Sequence, residues 1–364
     1  MNKIALTLSV SLLALISIGI SVKYCNPIDT SDTIVMSTTA PPKAGMVAAA
    51  NPYAVQAGVD ILNAGGSAVD AAIAVQTTLG LVEPQSSGLG GGAFLLTYDS
   101  KTGEVWNYDG RETAPADATD ALFLGEDGEP LRYFDAIASG RSTGVPSAMV
   151  MLHRAHEDYG NLKWGAGGQF DFAQGLAQDG FNVPGRMAST AARMAKFVLG
   201  NNEAARNYFF LPDGTTITEG QLIKNPDYSD VLQALKSNPR ALLEGPIAAA
   251  IIDEIRKAPL AGTLTLEDMA RYQPEKTEPL CSPYREHMVC GPQPPSSGGV
   301  AVQSILGTLE NFDMTQKGQS AEGWHHFIEA SFLAYADRNQ FAADPRFIDV
   351  PTKAMRGNPY PASL

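Results

Sequence analysis

Arg111 follows the strand pattern Trp106–Gly110 and precedes Glu112-Thr-Ala-Pro115. A guanidinium at the end of a strand can grip a carboxylate through two parallel hydrogen bonds, which an ammonium cannot do. Taken alone, the same residue also reads as an ordinary surface arginine. Other constellations compete for attention. Gly88-Leu-Gly-Gly-Gly-Ala93 has the glycine spacing of a dinucleotide loop. That loop needs a strand before it and a helix after it, so that the helix N-terminus can hold the pyrophosphate. Here a helical pattern precedes and a strand pattern follows, so the glycines are expected to let backbones approach closely. Ser296-Ser297-Gly298-Gly299 stands before a helical run and reads as a turn plus N-cap, or as an anion cradle. His325 and His326 are adjacent and point to different sides of a helix. His153 and His156 lie three apart, with no third ligand nearby. Neither pair has zinc spacing, and packing histidines are expected. No Cys/His pairing suggests a nucleophile.

The elements that must position these residues follow from capping and periodicity. Gly45–Ala50 is a short apolar run and reads as a buried strand. Asn51 and Pro52 then open a helix, with Val55, Val59, Ile61 and Leu62 sharing much of one face and Gly65-Gly66 ending it. Ser67 to Asp70 is a capping box opening a second helix to about Val82. That helix is almost uncharged and rich in Ala, so it is expected inside a layered domain. Ala93–Asp99 and Glu104–Gly110 read as a hairpin. Residues 140–270 read as mainly helical. Leu280–Gly291 reads as a second hairpin, and Val300–Leu309 and Ala321–Ala342 as amphipathic helices.

The 364 residues fit two domains or one large one. With 44% apolar residues the chain can bury a sizeable core. A formal net charge of −13 repels phosphate backbones, so no nucleic-acid partner is expected. No cofactor motif and no metal-ligand set is identified. Met1-Asn2-Lys3 is a short basic start, and Ile4 to Val22 carries no charge. Residues 1–21 therefore read as a signal peptide or retained anchor, 22–44 as a linker, and 45–364 as the working region. Export is expected, to a periplasmic or extracellular site. In the second hairpin, Arg285-Glu286 as a two-residue turn sets Cys281 directly opposite Cys290. An oxidising compartment would then join them as a disulfide.

Several blocks together resemble the large subunit of γ-glutamyltransferase (glutathione hydrolase). They are Gly45–Pro52, Asn63–Ala72, Glu83–Ala93, Gly110-Arg-Glu-Thr-Ala-Pro115, Pro294–Gly299 and Tyr335-Ala-Asp-Arg338. They stand in the family's order across about residues 44–355. The resemblance implies an α+β, N-terminal-nucleophile hydrolase fold, an αββα sandwich of two sheets between helix layers. Only the large-subunit part is expected here, incomplete without a small subunit. It implies a precursor that cuts itself to free an N-terminal threonine. That hydroxyl attacks the γ-carbonyl of glutathione or another γ-glutamyl compound, with its own α-amine as base. The γ-glutamyl group then passes to water, an amino acid or a peptide. Arg111 occupies the family position that grips the substrate's α-carboxylate. No catalytic role is carried onto Ser296–Gly299. The family's Thr-Thr-His-x-Ser stretch is absent, since Thr38-Thr39 is followed by Ala40. The nucleophile is therefore expected on a partner small subunit, and this chain alone is expected to be inactive. Two other readings stay open: a non-catalytic fragment or assembly subunit, and a related β-lactam (cephalosporin) acylase.

Overall fold

The computed structural model describes residues 45–197, 199–257 and 260–356. The expected signal peptide and linker, and the residues after 356, lie outside them. Helix α1, Pro52–Asn63, is capped by the Asn51 side chain, which accepts the Tyr53 N–H at 3.0 Å. Its buried face is Ala54, Ala57, Gly58 and Ile61, whereas Val55, Val59 and Leu62 are only half-buried. The expected valine face is thus displaced toward small residues. A Cβ at Gly58 would sit 2.9 Å from both Val47 and Val75, so α1 packs closer than larger side chains would allow. Helix α2, Ala68–Val82, begins with the expected capping box of Ser67 and Asp70. Val69, Ile73, Ala74, Thr77, Thr78 and Leu81 are all buried, which places α2 inside the molecule.

Strands β1, Ala93–Tyr98, and β2, Val105–Gly110, pair antiparallel with Leu95 opposite Tyr108. Glu275–Thr277 adds a third strand on the far side of β2, with Lys276 opposite Tyr108. Alternation decides which face is covered. Ala93, Leu95, Trp106 and Tyr108 pack on a core of Ile73, Met149, Met151, Phe170, Leu232 and Leu235. On the opposite face Leu96 is 38% and Tyr98 69% exposed. Gly45–Ala50 alternates half-buried and exposed residues as a strand would, yet pairs with no strand among the described residues. The sequence expectation of a buried strand is corrected there. The segment lies on α1 and α2 through Val47, and Met46 is exposed.

Helices follow, including Ala148–Tyr159, Asp171–Asp179, Gly185–Met194, Pro226–Ser237, Gly245–Lys257 and Leu266–Arg271. The second hairpin forms as expected, Leu280–Tyr284 with His287–Gly291. Cys281 and Cys290 are directly opposed, their Cα atoms 4.1 Å apart, and joined as a disulfide. Helix Gly298–Leu309 packs on this hairpin, and helix Ala321–Phe341 packs on that helix in turn. The latter is not buried along one apolar stripe as expected. Its buried residues are Gly323, Ala330 and Ala334, while Trp324, Phe327, Ile328, Phe332 and Tyr335 are exposed. Small residues lie on the buried side, and on the exposed side Trp324 and Phe327 meet edge to face.

Candidate active site

Arg111 is held by its backbone rather than by its side chain. β2 ends at Gly110, where a Cβ would collide with the Met151 side chain. Ser147 Oγ donates to Gly110 O at 2.6 Å, fixing the strand end against helix Ala148–Tyr159. Arg111 N–H donates to Asp109 Oδ1 at 2.7 Å, and the Tyr272 hydroxyl donates to Arg111 O at 2.9 Å. Burial raises the Asp109 carboxyl above its usual range, with Glu275 opposite it adding repulsion, although the Arg111 N–H opposes the rise. Burial also pushes the Tyr272 hydroxyl up to about 12, so it stays a neutral donor at physiological pH.

The Arg111 guanidinium is 58% exposed and meets Glu112 Oε2 through Nε at 3.3 Å. Glu112 is fixed at its other oxygen, where Oε1 accepts the Gly92 N–H at 2.7 Å. A Cβ at Gly92 would lie 2.6 Å from Gly110 O, so the glycine permits this approach. Gly88 and Gly90 meet no such crowding, and the close approach expected of the glycine run falls at Gly92. Arg111 and Glu112 open onto a cleft of about 470 Å³, walled by Pro115, Phe123, Arg141 and Gly144. The site is a concave surface with an exposed cation, whose ion-pair contact among the described residues runs from Nε to Glu112. It suits recognition of a carboxylate-bearing ligand.

The other candidates are placed elsewhere. Ser297 takes the N-cap position of helix Gly298–Leu309 but makes no side-chain cap bond. Its hydroxyl accepts from Arg338 Nε at 3.0 Å, joining two sequence blocks that lie far apart. His153 and His156 pack around Trp164, and His326 stacks on Phe312 with ring centroids 4.0 Å apart. Among the described residues no group of three or more His, Cys, Asp or Glu side chains gathers for a metal ion. Sequence reasoning missed Glu112 and Arg141 as members of the cleft. Adjacency to Arg111 was the signal for Glu112. Arg141 carried none beyond Gly140 before it.

Solved structures share this architecture. Helicobacter pylori γ-glutamyltranspeptidase aligns with a TM-score of 0.83 and 28% identity, covering 90% of this chain and 92% of that one. A cephalosporin acylase from Bacillus halodurans aligns with a TM-score of 0.74 and 27% identity, covering 86% and 57%. These neighbours bear out the N-terminal-nucleophile hydrolase fold. Among curated relatives, the glutathione hydrolase proenzyme of Escherichia coli K12 is 36% identical over 324 residues, which is 88% of this chain and 55% of the relative. That of Bacillus subtilis 168 is 32% identical over 318 residues, 86% of this chain and 52% of the relative. The chain thus spans about half the length of the curated relatives it matches. The sequence model of the family described as Gamma-glutamyltranspeptidase matches residues 54–363. With that match over most of its length, the chain belongs to the gamma-glutamyltranspeptidase family.

Proposed function

We propose that this chain is the large-subunit portion of a γ-glutamyltransferase/glutathione hydrolase, in which Arg111 binds the α-carboxylate of the γ-glutamyl group. The carrying observation is the exposed Arg111 guanidinium in its cleft. Its backbone is fixed by two hydrogen bonds, and Nε meets Glu112. Glu112, itself tied to Gly92, sets the plane of the guanidinium. The terminal nitrogens then meet a carboxylate side by side.

The nucleophile in this reading is an N-terminal threonine on a small subunit. Its hydroxyl attacks the γ-carbonyl, its α-amine takes the proton, and the peptide leaves as an amine. Water, an amino acid or a peptide then takes the γ-glutamyl group. This chain binds and orients the donor, which brings the γ-carbonyl to the attacking oxygen. The bare sheet face at Leu96 and Tyr98 and the exposed Phe327 and Phe332 support a large apolar partner. The N-terminal sequence supports export. The likeness to the B. halodurans enzyme supports a second reading, acylase action on a β-lactam side chain.

Assays on the pure chain and on the assembled pair test the proposal. The chain alone should release nothing from a γ-glutamyl anilide, and the pair should turn it over in preference to a cephalosporin. Arg111→Ala should cost the pair about 30- to several-thousand-fold in kcat/KM, the consequence of removing one partner of a desolvated charge pair. Arg111→Lys should recover part of it. A donor with its α-carboxylate amidated should lose little further on mutation. Equal loss on both donors would make Arg111 structural.

A further inference from the structure

The Arg111 cleft contains a second guanidinium. Arg141 lines the same wall as Phe123, Thr143 and Gly144. Its side-chain bonds both leave from Nη1, to the carbonyl oxygens of Leu122 and Leu124 at 3.1 Å each. Nε and Nη2 make no bond among the described residues, and neither atom is sealed from solvent. No carboxylate there pairs with Arg141, unlike Arg111, which has Glu112. A half-buried cation with no ion pair among the described residues, in a cleft beside a second cation, needs a reason.

The mounting of Arg141 is rigid. It sits in the short turn Gly140–Ser142. A Cβ at Gly140 would collide with Ile255 O, and one at Gly262 with Gly140 O, so the turn is pressed against the end of helix Gly245–Lys257. The Ser139 hydroxyl donates to Ala136 O at 2.6 Å and closes it from the other side. The two carbonyl bonds hold the guanidinium as well, so a ligand meets a side chain that has already lost its rotamer freedom. Between the two carbonyls lies Phe123, 42% exposed and lining the cleft.

The charged side chains of the cleft are Arg111, Arg141 and Glu112, two cations against one anion. A γ-glutamyl peptide with a free C-terminus carries the inverse set, two carboxylates and one ammonium. The cleft volume of about 470 Å³ falls within the range of small-ligand sites. We infer that Arg141 binds the C-terminal carboxylate of the peptide attached to the γ-glutamyl group. The cleft then reads its substrate at both ends, with Phe123 as the apolar wall between them. This rests on the assignment of the α-carboxylate to Arg111, and it selects γ-glutamyl peptides with a free C-terminus over γ-glutamyl amines.

The test measures kcat/KM of the assembled enzyme on a γ-glutamyl dipeptide and on the same peptide amidated at its C-terminus. A charge-assisted bond predicts that wild type prefers the free acid by about 10- to 100-fold. Arg141→Gln should bring that ratio close to 1, and Arg141→Lys should restore part of it. If Arg141 only holds the Leu122–Leu124 loop, both substrates lose rate together and the ratio persists, which overturns the inference. A variant-free arm uses the leaving dipeptide as inhibitor of wild type. The free acid should bind about tenfold or more tightly than its amide, and equal inhibition overturns the inference even if Arg141→Gln fails to assemble. Arg111→Ala on α-amidated donor is run in parallel, so failure of the Arg111 reading shows independently of this ratio.

Discussion

Glu112 Oε1 accepts the backbone N–H of Gly92 at 2.7 Å across twenty residues of chain. This bond ties the glycine run before β1 to the residue beside Arg111. Loss of it should free both. Glu112→Ala is expected to lower kcat/KM about tenfold in the assembled enzyme, in line with losing one charge-assisted bond at the site. Its selectivity for a free over an α-amidated donor should shrink as well. A rate loss with selectivity intact would show that Glu112 does not orient Arg111.

The crowding at Gly92 should be visible in stability. Gly92→Ala places a Cβ 2.6 Å from Gly110 O, a backbone atom that cannot swing away. Overpacking of this kind costs about 1–3 kcal/mol. Gly90→Ala, with nothing within 4 Å of its Cβ, is the matched control and should be close to neutral. Chemical denaturation of both variants decides the matter, and equal midpoints would contradict the close approach.

Asp70 should set the acid limit of the fold. Its side chain is fully buried, and that burial raises its carboxyl. Bonds from the Ser67, Asn161 and Leu162 N–H groups and from Gln169 outweigh burial and hold it below its usual range. A depressed folded value contributes stability that is complete above the unfolded value, about pH 4, and is lost as pH falls through the folded one. Asp70→Asn should cost about 2–3 kcal/mol near neutral pH, as expected for hydrogen bonds to a charged acceptor. The difference from wild type should narrow below pH 4. A gap that stays constant to pH 2 would argue against the carboxylate as the cause.

The Cys281–Cys290 bridge closes a short loop and should stabilise the second hairpin by about 2 kcal/mol. Replacing both cysteines with serine, or adding reductant, should lower the thermal midpoint to the same degree. Peptide mapping of unreduced protein should find neither thiol open to alkylation.

Arg285 occupies the turn of that hairpin at φ 53°, a left-handed conformation that glycine adopts freely. Arg285→Gly and Arg285→Ala both remove the bond to Thr315 Oγ1. They differ in backbone freedom alone, so the glycine variant should be the more stable by about 1 kcal/mol. Equal stabilities would show that the turn relaxes around the strain.

The sequence was most legible where the controlling forces are local. The Ser67–Asp70 box and the Asn51-Pro52 start fixed α1 and α2, because a cap and its helix lie within four residues. Alternation and a two-residue turn fixed the register that sets Cys281 against Cys290. The apolar pattern of Gly45–Ala50 also gave an extended segment, but a strand needs a ladder partner that no local pattern specifies. Helix Ala321–Phe341 was legible as a helix, and the exposure of its aromatic residues was not, since exposure depends on what packs against them. At the site, the sequence located Arg111 by its place at a strand end and by the block around it. Only the tertiary structure brought Gly92, Arg141 and Tyr272 to it. Those residues are up to 161 positions away in the chain. Their convergence comes from packing β2 onto helix Ala148–Tyr159 and pressing two glycine turns together, contacts that backbone periodicity does not encode.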